Sequence, residues 1–197
     1  MLDIWFKPLI WMDYRLAVLF TVILPVILLL WAAIRKEEAM IRLLVIYWRV
    51  ASLLMITVYL MIPSWSIGYI TGFVARILIP LSLWFWIDIN DEIDDRGFSP
   101  LKLTLTAWRW AVTVYCTIGT LAFLPFLSCA FSTAALKTPF CRVWLEPTFL
   151  YKSWIHANSR PGFLGFLAAI GLAAYILYFV YFVVVRLGKQ WRSAMDK

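Results

Sequence analysis

Five long apolar runs constrain this chain more than any other feature of its sequence. A helix needs roughly 20 apolar residues to cross the hydrocarbon core of a bilayer. The charged residues are bunched between the runs, and 64% of all residues are hydrophobic. We therefore predict an all-α integral membrane protein in which residues 1–197 form one transmembrane helical domain. The five predicted spans are residues 15–34, 43–62, 66–87, 103–127 and 162–185.

The segments outside the spans also carry structural signals. Residues 1–14 mix Trp and Leu with charged residues, which is typical of an interfacial segment in the headgroup region, and Asp13 is placed to cap the first span. Only Pro63–Trp65 separate the second and third spans, so these spans should form a tight antiparallel hairpin. Between the fourth and fifth spans, the aromatic-rich loop 128–160 is expected to contain a short amphipathic helix at Thr148–Ala157.

The distribution of basic residues predicts the orientation, because loops rich in Lys and Arg stay in the cytoplasm. Five spans place the termini on opposite sides. Nine basic residues lie on one predicted side: Arg35, Lys36, Arg42, Arg96, Lys102, Arg186, Lys189, Arg192 and Lys197. Six lie on the other: Lys7, Arg15, Lys137, Arg142, Lys152 and Arg160. We therefore expect a lumenal or periplasmic N-terminus and a cytoplasmic C-terminus. The basic residues flank apolar spans and form no single stripe, so the net charge of +7 does not indicate nucleic-acid binding.

Three arginines fall inside predicted spans, where a charge costs about 2.5–3.5 kcal/mol at the helix centre. Arg49 and Arg109 lie close enough to the predicted cytoplasmic side to extend towards it, whereas Arg76 lies near the middle of its span. One interpretation is structural: the arginines join helices through Asp88, Asp91 or backbone carbonyls. The other is functional: an anion-attracting cavity, or a headgroup site for a lipid or a pigment. No Asp or Glu lies deep in any predicted span, which argues against proton- or cation-coupled transport.

Small residues recur at helix-packing spacing in two of the spans. Gly68 and Gly72 form a GxxxG pair in the third span, and Gly165, Ala169 and Ala173 continue the same spacing in the fifth. Such residues let helix backbones approach closely. The spacing does not say whether the neighbouring helix belongs to the same chain.

Two of the three cysteines are predicted to form a disulfide. Cys129 and Cys141 lie at the start of the long loop on the predicted outer side, where an oxidising compartment lets disulfides persist. Cys116 lies inside the fourth span, where a thiol behaves as a small apolar group. The alternative is two unpaired thiols buried against helix ends.

The sequence offers little catalytic chemistry. His156 is the only histidine, so a multi-histidine metal site or a bis-histidine haem within this chain is excluded, and a polar loop residue is the simplest interpretation. No P-loop, dinucleotide fingerprint or nucleophile elbow is present. We expect a protein that is not an enzyme and needs no metal or cofactor, although the arginines are compatible with a bound pigment or lipid.

Several Trp-rich stretches give the chain a family resemblance. They are Tyr47–Met61, Ala75–Asn90, Trp108–Cys116, Phe140–Pro147 and Tyr181–Gln190. The chain resembles, over nearly its whole length, a family of uncharacterised five-span membrane proteins associated with cyanobacteria. The resemblance implies a thylakoid or plasma membrane. The family's domain has no known function, so no residue role follows from it.

Two functions fit these features best. The first is a non-catalytic accessory or assembly subunit of a larger membrane complex, with the lipid bilayer and a membrane protein complex as partners. The family resemblance favours a photosynthetic complex. The second is an anion or small-solute transporter that uses Arg49, Arg76 and Arg109. A membrane enzyme is a distant third, because no constellation of acid, histidine and nucleophile lies within the spans.

Overall fold

The computed structural model describes residues 4–187, and these confirm the predicted all-α fold with five helices long and apolar enough to cross a membrane. The main helices are α1 (Lys7–Arg35, with a π turn at Leu19–Ile23), α2 (Glu38–Met61), α3 (Ile67–Trp84), α4 (Ile87–Asp94), α5 (Pro100–Phe123), α6 (Glu146–Ile155) and α7 (Pro161–Tyr181, continued by a π turn at Phe182–Leu187). Between α5 and α6 lie short helical turns: Leu124–Leu127, Ser128–Phe131, Thr133–Leu136, Pro139–Arg142 and Val143–Leu145. The basic residues Lys189, Arg192 and Lys197, which the charge count assigns to the cytoplasmic side, lie outside the described residues.

The first span begins earlier than predicted. α1 starts at Lys7 with Pro8 in its first turn, where the missing N–H costs nothing because that group has no helical acceptor. The helix then runs to Arg35 without a break at Asp13. The expected N-cap at Asp13 is therefore wrong, and residues 7–14 continue the helix instead of forming a separate interfacial segment.

The π turn in α1 is tied to Pro25, which follows it. Proline has no N–H to donate to the carbonyl four residues earlier, here that of Thr21. The hydroxyl of Tyr47 on α2 donates to that carbonyl instead, at 2.8 Å. The indole Nε1 of Trp108 on α5 donates to the preceding carbonyl, also at 2.8 Å. The interruption in α1 therefore attaches this helix to two others.

The second and third spans form the predicted hairpin, with a turn at residues 62–66. Ser64 in this turn has a φ of 62°, the left-handed region. Gly68 and Gly72 face α2, since a Cβ added to them would lie 2.7 Å from Cγ of Met61 and 3.2 Å from Cγ2 of Thr57. The GxxxG pair thus brings together two helices of the same chain.

The segment between α5 and α7, residues 124–160, covers one end of the bundle, and we call it the cap. Phe126 and Trp144 of the cap pack against Phe123 at the end of α5 and Ile10 of α1. The hydroxyl of Tyr69 on α3 donates to a cap carbonyl at 2.7 Å. The cap is therefore a packed part of the protein and not a flexible linker.

The amphipathic helix predicted at Thr148–Ala157 is α6, displaced by two residues. Pro147 lies in its first turn, as expected. Thr148 is completely buried, whereas Trp154 is 78% exposed and Ile155 is 61% exposed. The exposed apolar side chains suit a helix that lies at the membrane surface.

The opposite end of the bundle is held by ion pairs around α4. Glu92 of α4 pairs with Arg42 of α2 at 3.1 Å and with Arg96 at 3.6 Å. Arg96 also pairs with Glu37, between α1 and α2, at 3.2 Å. The third span ends at Trp84, earlier than the predicted residue 87, because Trp86 has an extended backbone conformation that separates α3 from α4.

The fifth span, α7, lies at the periphery of the bundle. Only 6% of its most apolar stretch is buried, compared with 22–44% for the other four spans. Its buried residues, Leu164, Gly165, Ala168 and Leu172, mark the one face that packs inwards, mainly on α2. Ala169 is half-buried beside them.

The close approach of α7 to the α2–α3 turn predicts that Gly165→Ala is destabilising. A Cβ at residue 165 would lie 2.7 Å from Cγ of Pro63, a rigid ring atom, and such overpacking costs about 1–3 kcal/mol. Gly162 is the control, because it lies one turn earlier and has nothing within 4 Å of its added Cβ. We expect Gly165→Ala to lower the midpoint of unfolding in detergent micelles and Gly162→Ala to leave it unchanged or raise it. Equal midpoints would contradict this packing.

Candidate functional site

The centre of the bundle contains an ion pair between Arg76 of α3 and Asp13 of α1. The guanidinium Nη2 of Arg76 donates to Oδ2 of Asp13, and Nη1 donates to the carbonyl oxygen of Gly119 on α5 at 3.0 Å. Arg76 is only 9% exposed. The sequence pattern places Asp13 before the first span, whereas the structure shows that α1 carries its carboxylate into the bundle.

The surroundings of this pair leave it little free hydrogen-bonding capacity. The hydroxyl of Tyr115 on α5 donates to Oδ1 of Asp13 at 3.0 Å. The guanidinium lies 5.3 Å from the ring centroid of Phe123 and 5.6 Å from that of Trp144, within the range of cation–π attraction. Gly119 is needed here because a Cβ would lie 2.7 Å from Nη1 of Arg76. We call Asp13, Arg76, Tyr115 and Gly119 the central cluster.

One sequence signal could have revealed Asp13 as a partner. Pro8 is favoured in the first turn of a helix, which places the helix start before residue 13. Asp13 then lies inside the first span, and a carboxylate there needs a cation. Arg76, near the middle of its own span, is the cation that lacks a nearby route to water.

Arg109 forms a second, separate site on α5, in the half of the helix farther from the cap. It is 2% exposed, and its Nη2 donates to Oδ1 of Asn90 at 2.8 Å and to the carbonyl of Leu83 at 3.4 Å. Its guanidinium lies 4.1 Å from the ring centroid of Trp84. A helix carbonyl is thus one of its partners, as the structural interpretation predicts.

The acidic residues singled out from the sequence do not supply the carboxylate that pairs with Arg76. Asp88 and Asp91 lie on α4, at the end of the bundle opposite the cap, where Asp88 is half-buried and Asp91 is exposed. Two ion pairs at that end involve Glu92 and another joins Arg96 to Glu37, and neither glutamate was singled out from the sequence. A pattern of charges along the chain cannot distinguish Glu92 from its acidic neighbours.

Arg49 occupies a third position, on the exposed side of α2. Its Nη1 donates to the hydroxyl of Tyr178 on α7 at 3.2 Å, which joins these two helices. Arg49 lines a crevice between α2, α3, α4 and α7, but neither Arg76 nor Arg109 lines it. The three intramembrane arginines therefore lie at three separate sites, and only Arg49 among them lines this crevice.

His156 belongs to a small polar cluster in the cap. Its Nε2 lies 2.6 Å from the hydroxyl oxygen of Tyr59 on α2, and that oxygen lies 3.4 Å from the hydroxyl of Tyr151 on α6. Burial, followed by the hydrogen bond with Tyr59, raises the pKa of Tyr151 to about 12, so its hydroxyl stays protonated at neutral pH. Across residues 4–187, no three His, Cys, Asp or Glu side chains come together to hold a metal ion.

The cap also contains the predicted cysteine pair. Cys129 and Cys141 are joined by a disulfide, with their Cα atoms 5.8 Å apart, inside the usual range for such a bond. Cys116 is a buried free thiol within α5. The bridge closes the first part of the cap into a loop against the end of the bundle.

Comparison with known proteins gives one match. The sequence model of a family described as "Protein of unknown function (DUF3177)" matches residues 7–195. No curated protein and no solved structure matches the chain. The match covers nearly the whole chain and agrees with the expected resemblance to a family of unknown function.

The burial of the central pair predicts a large cost when one partner is removed. Asp13→Asn leaves the guanidinium of Arg76 without a counter-charge, and breaking a buried pair in this way typically costs about 3–5 kcal/mol. The control is the pair between Lys7 and Glu146, 2.8 Å apart and largely exposed, where Lys7→Gln should cost at most about 1 kcal/mol. Both variants are compared by reversible unfolding in mixed micelles. A double variant, Asp13→Leu with Arg76→Leu, should recover much of the lost free energy of unfolding. This prediction is refuted if Asp13→Asn is no more destabilising than Lys7→Gln.

Proposed function

The chain belongs to the DUF3177 family, whose function is unknown, and we propose from the geometry of its own residues that it is a non-catalytic accessory or assembly subunit of a larger membrane complex. The bilayer is its solvent, and a membrane protein complex is its proposed partner. The observation that carries this proposal is the exposure of α7.

Because only 6% of the most apolar stretch of α7 is buried, most of the surface of this stretch is available to something outside the chain. The face of α7 opposite α2 is formed by Phe166, Ile170, Ala173 and Leu177, all exposed. Apolar exposure alone does not drive association in a membrane, because lipid tails are equally apolar. Association depends on close packing, and Ala173 lets another helix approach between larger side chains. This face is therefore the proposed docking surface.

The intramembrane arginines support a structural role for the bundle itself. Arg76 is engaged by Asp13 and Gly119, and Arg109 by Asn90 and the ring of Trp84. Side chains with fixed partners join helices, as intramembrane charges commonly do. An accessory subunit that binds its partner through its surface and catalyses no reaction needs a rigid bundle of this kind.

The alternative, an anion or small-solute transporter, has one observation in its favour. Asp13 is a carboxylate inside a span, and ion-coupled transporters use such groups. A transport pathway through Arg49, Arg76 and Arg109 would have to connect three sites that are separate in this conformation. The accessory role therefore has more support.

We further propose the location and the orientation. The disulfide between Cys129 and Cys141 supports a cap that faces an oxidising compartment, lumen or periplasm, on the same side as the N-terminus. The charge distribution supports the same orientation. The resemblance to a family associated with cyanobacteria supports a thylakoid or plasma membrane and a photosynthetic partner complex.

Native gels of gently solubilised membranes test the accessory role. We expect the wild-type chain to migrate in an assembly much larger than 22.9 kDa. Ala173→Trp should release it, because the larger side chain blocks close approach of a partner helix. Ala122→Trp is the matched control, since Ala122 is an exposed alanine on another span, α5. Migration of the wild-type chain only as a free monomer would overturn the proposal.

Cysteine labelling in vesicles of known sidedness tests the orientation. The native cysteines are either bridged or buried, so a single introduced thiol dominates labelling. A membrane-impermeant maleimide should reach Asn158→Cys in the cap from the lumenal or periplasmic face. It should reach Asp95→Cys, at the opposite end, only from the cytoplasmic face. The reverse pattern would invert the proposed topology.

A further inference from the structure

A crevice of about 520 Å³ opens between α2, α3, α4 and α7 in the inner half of the bundle. Its size lies within the range of sites that hold small molecules. Most of its walls are apolar, and they include Leu78 and Leu81 of α3 and Phe182 after α7. Leu81 and Val45 are exposed side chains of this lining, 55% and 37%, so the crevice opens sideways towards the lipid. A molecule dissolved in the bilayer can therefore enter it without crossing water.

One side of the crevice carries hydrogen-bond donors and positive charge along its length. Arg42 and Arg49, seven residues apart, lie on the same side of α2 and differ in depth by about 10 Å. Tyr175 and Tyr178 of α7 also line this region. The hydroxyl of Tyr175 and the Nε of Arg42 are buried without a hydrogen-bond partner in the described part of the chain. The lining contains two arginines and no Asp or Glu.

The two arginines differ in how far their charges are compensated. Arg42 pairs with Glu92 at 3.1 Å, so its charge is largely balanced. Arg49 is held only by the neutral hydroxyl of Tyr178, at 3.2 Å, and no ion pair of residues 4–187 includes it. A guanidinium recognises phosphate and related anions through paired N–H donors. The crevice therefore offers one uncompensated positive charge beside an apolar channel.

We propose that this crevice binds one anionic membrane lipid. The negatively charged headgroup lies against Arg49 and Tyr178, and one acyl chain lies along Val50 and Leu78, on the side of Arg49 away from Arg42. The lateral opening and the apolar walls select a lipid over a soluble anion, and the unpaired charge selects an anionic over a zwitterionic headgroup. The site lies away from the face of Ala173 that the accessory role uses, so the two proposals fail independently.

Native mass spectrometry of the purified chain in detergent tests the site. Phosphatidylglycerol and phosphatidylcholine with the same acyl chains are added separately, and the occupancy of the first bound lipid is measured. We expect wild type to prefer phosphatidylglycerol, and Arg49→Gln to weaken that binding about tenfold, because a charge-assisted hydrogen bond is lost. Arg35→Gln is the control: Arg35 is an exposed arginine at the same end of the bundle that does not line the crevice.

Two further measurements make each outcome decisive. Leu81→Trp fills the apolar part, keeps both arginines, and should lower the binding of phosphatidylglycerol while retaining the fold, as checked by the unfolding midpoint. Inorganic phosphate should fail to displace the lipid at millimolar concentration. Any one of three results would overturn the proposal: equal binding of the two lipids by wild type, equal weakening by Arg49→Gln and Arg35→Gln, or displacement of the lipid by phosphate. The first result needs no variant.

Discussion

A charge buried inside a membrane helix bundle needs polar partners within the bundle, and the partner of Arg76 is a counter-charge, the carboxylate of Asp13. This requirement fixes α1 against α3, and the bond from Arg76 to the carbonyl of Gly119 brings in α5. Tyr115, also on α5, completes the arrangement by donating to the same carboxylate. Three of the five spans therefore meet at one polar point. The apolar packing above and below it adapts to that constraint, because hydrocarbon contacts alone have little directional preference.

The features that depend on apolar length and on local chemistry could be predicted from the sequence. The five spans, the hairpin at Pro63 and the glycines that permit it follow from hydropathy and spacing. Asp13 could not be read as an intramembrane residue by the same method, because the charges around it lower the hydropathy of residues 7–14 and make that stretch resemble a boundary. Its partner is 63 residues away, and pairing over that distance depends on the tertiary arrangement.

The two freed carbonyls in α1 show a similar limit. The position of Pro25 in the sequence indicates that the carbonyl of Thr21 loses its helical hydrogen-bond donor. The replacement donors, Tyr47 and Trp108, come from two other helices and could not be identified in advance. Trp and Tyr are common at membrane interfaces. Here Tyr47 and Trp108 lie inside the bundle and donate hydrogen bonds to backbone carbonyls. For the same reason, the sequence did not reveal that the hydroxyl of Tyr178 accepts a hydrogen bond from Arg49.

The separation of Asp13 and Arg76 along the chain has a consequence for biogenesis. A ribosome adds about 5–20 residues per second, so a separation of 63 residues corresponds to about 3–13 s of synthesis. During that interval Arg76 has not yet been made, so the carboxylate of Asp13 lacks the partner that it has in the folded bundle. Asp13 must then either carry a proton or remain where water reaches it, since an unpaired carboxylate is costly in hydrocarbon. We therefore expect the insertion machinery to retain the first helix until the third helix has been made, and to release both helices into the lipid together.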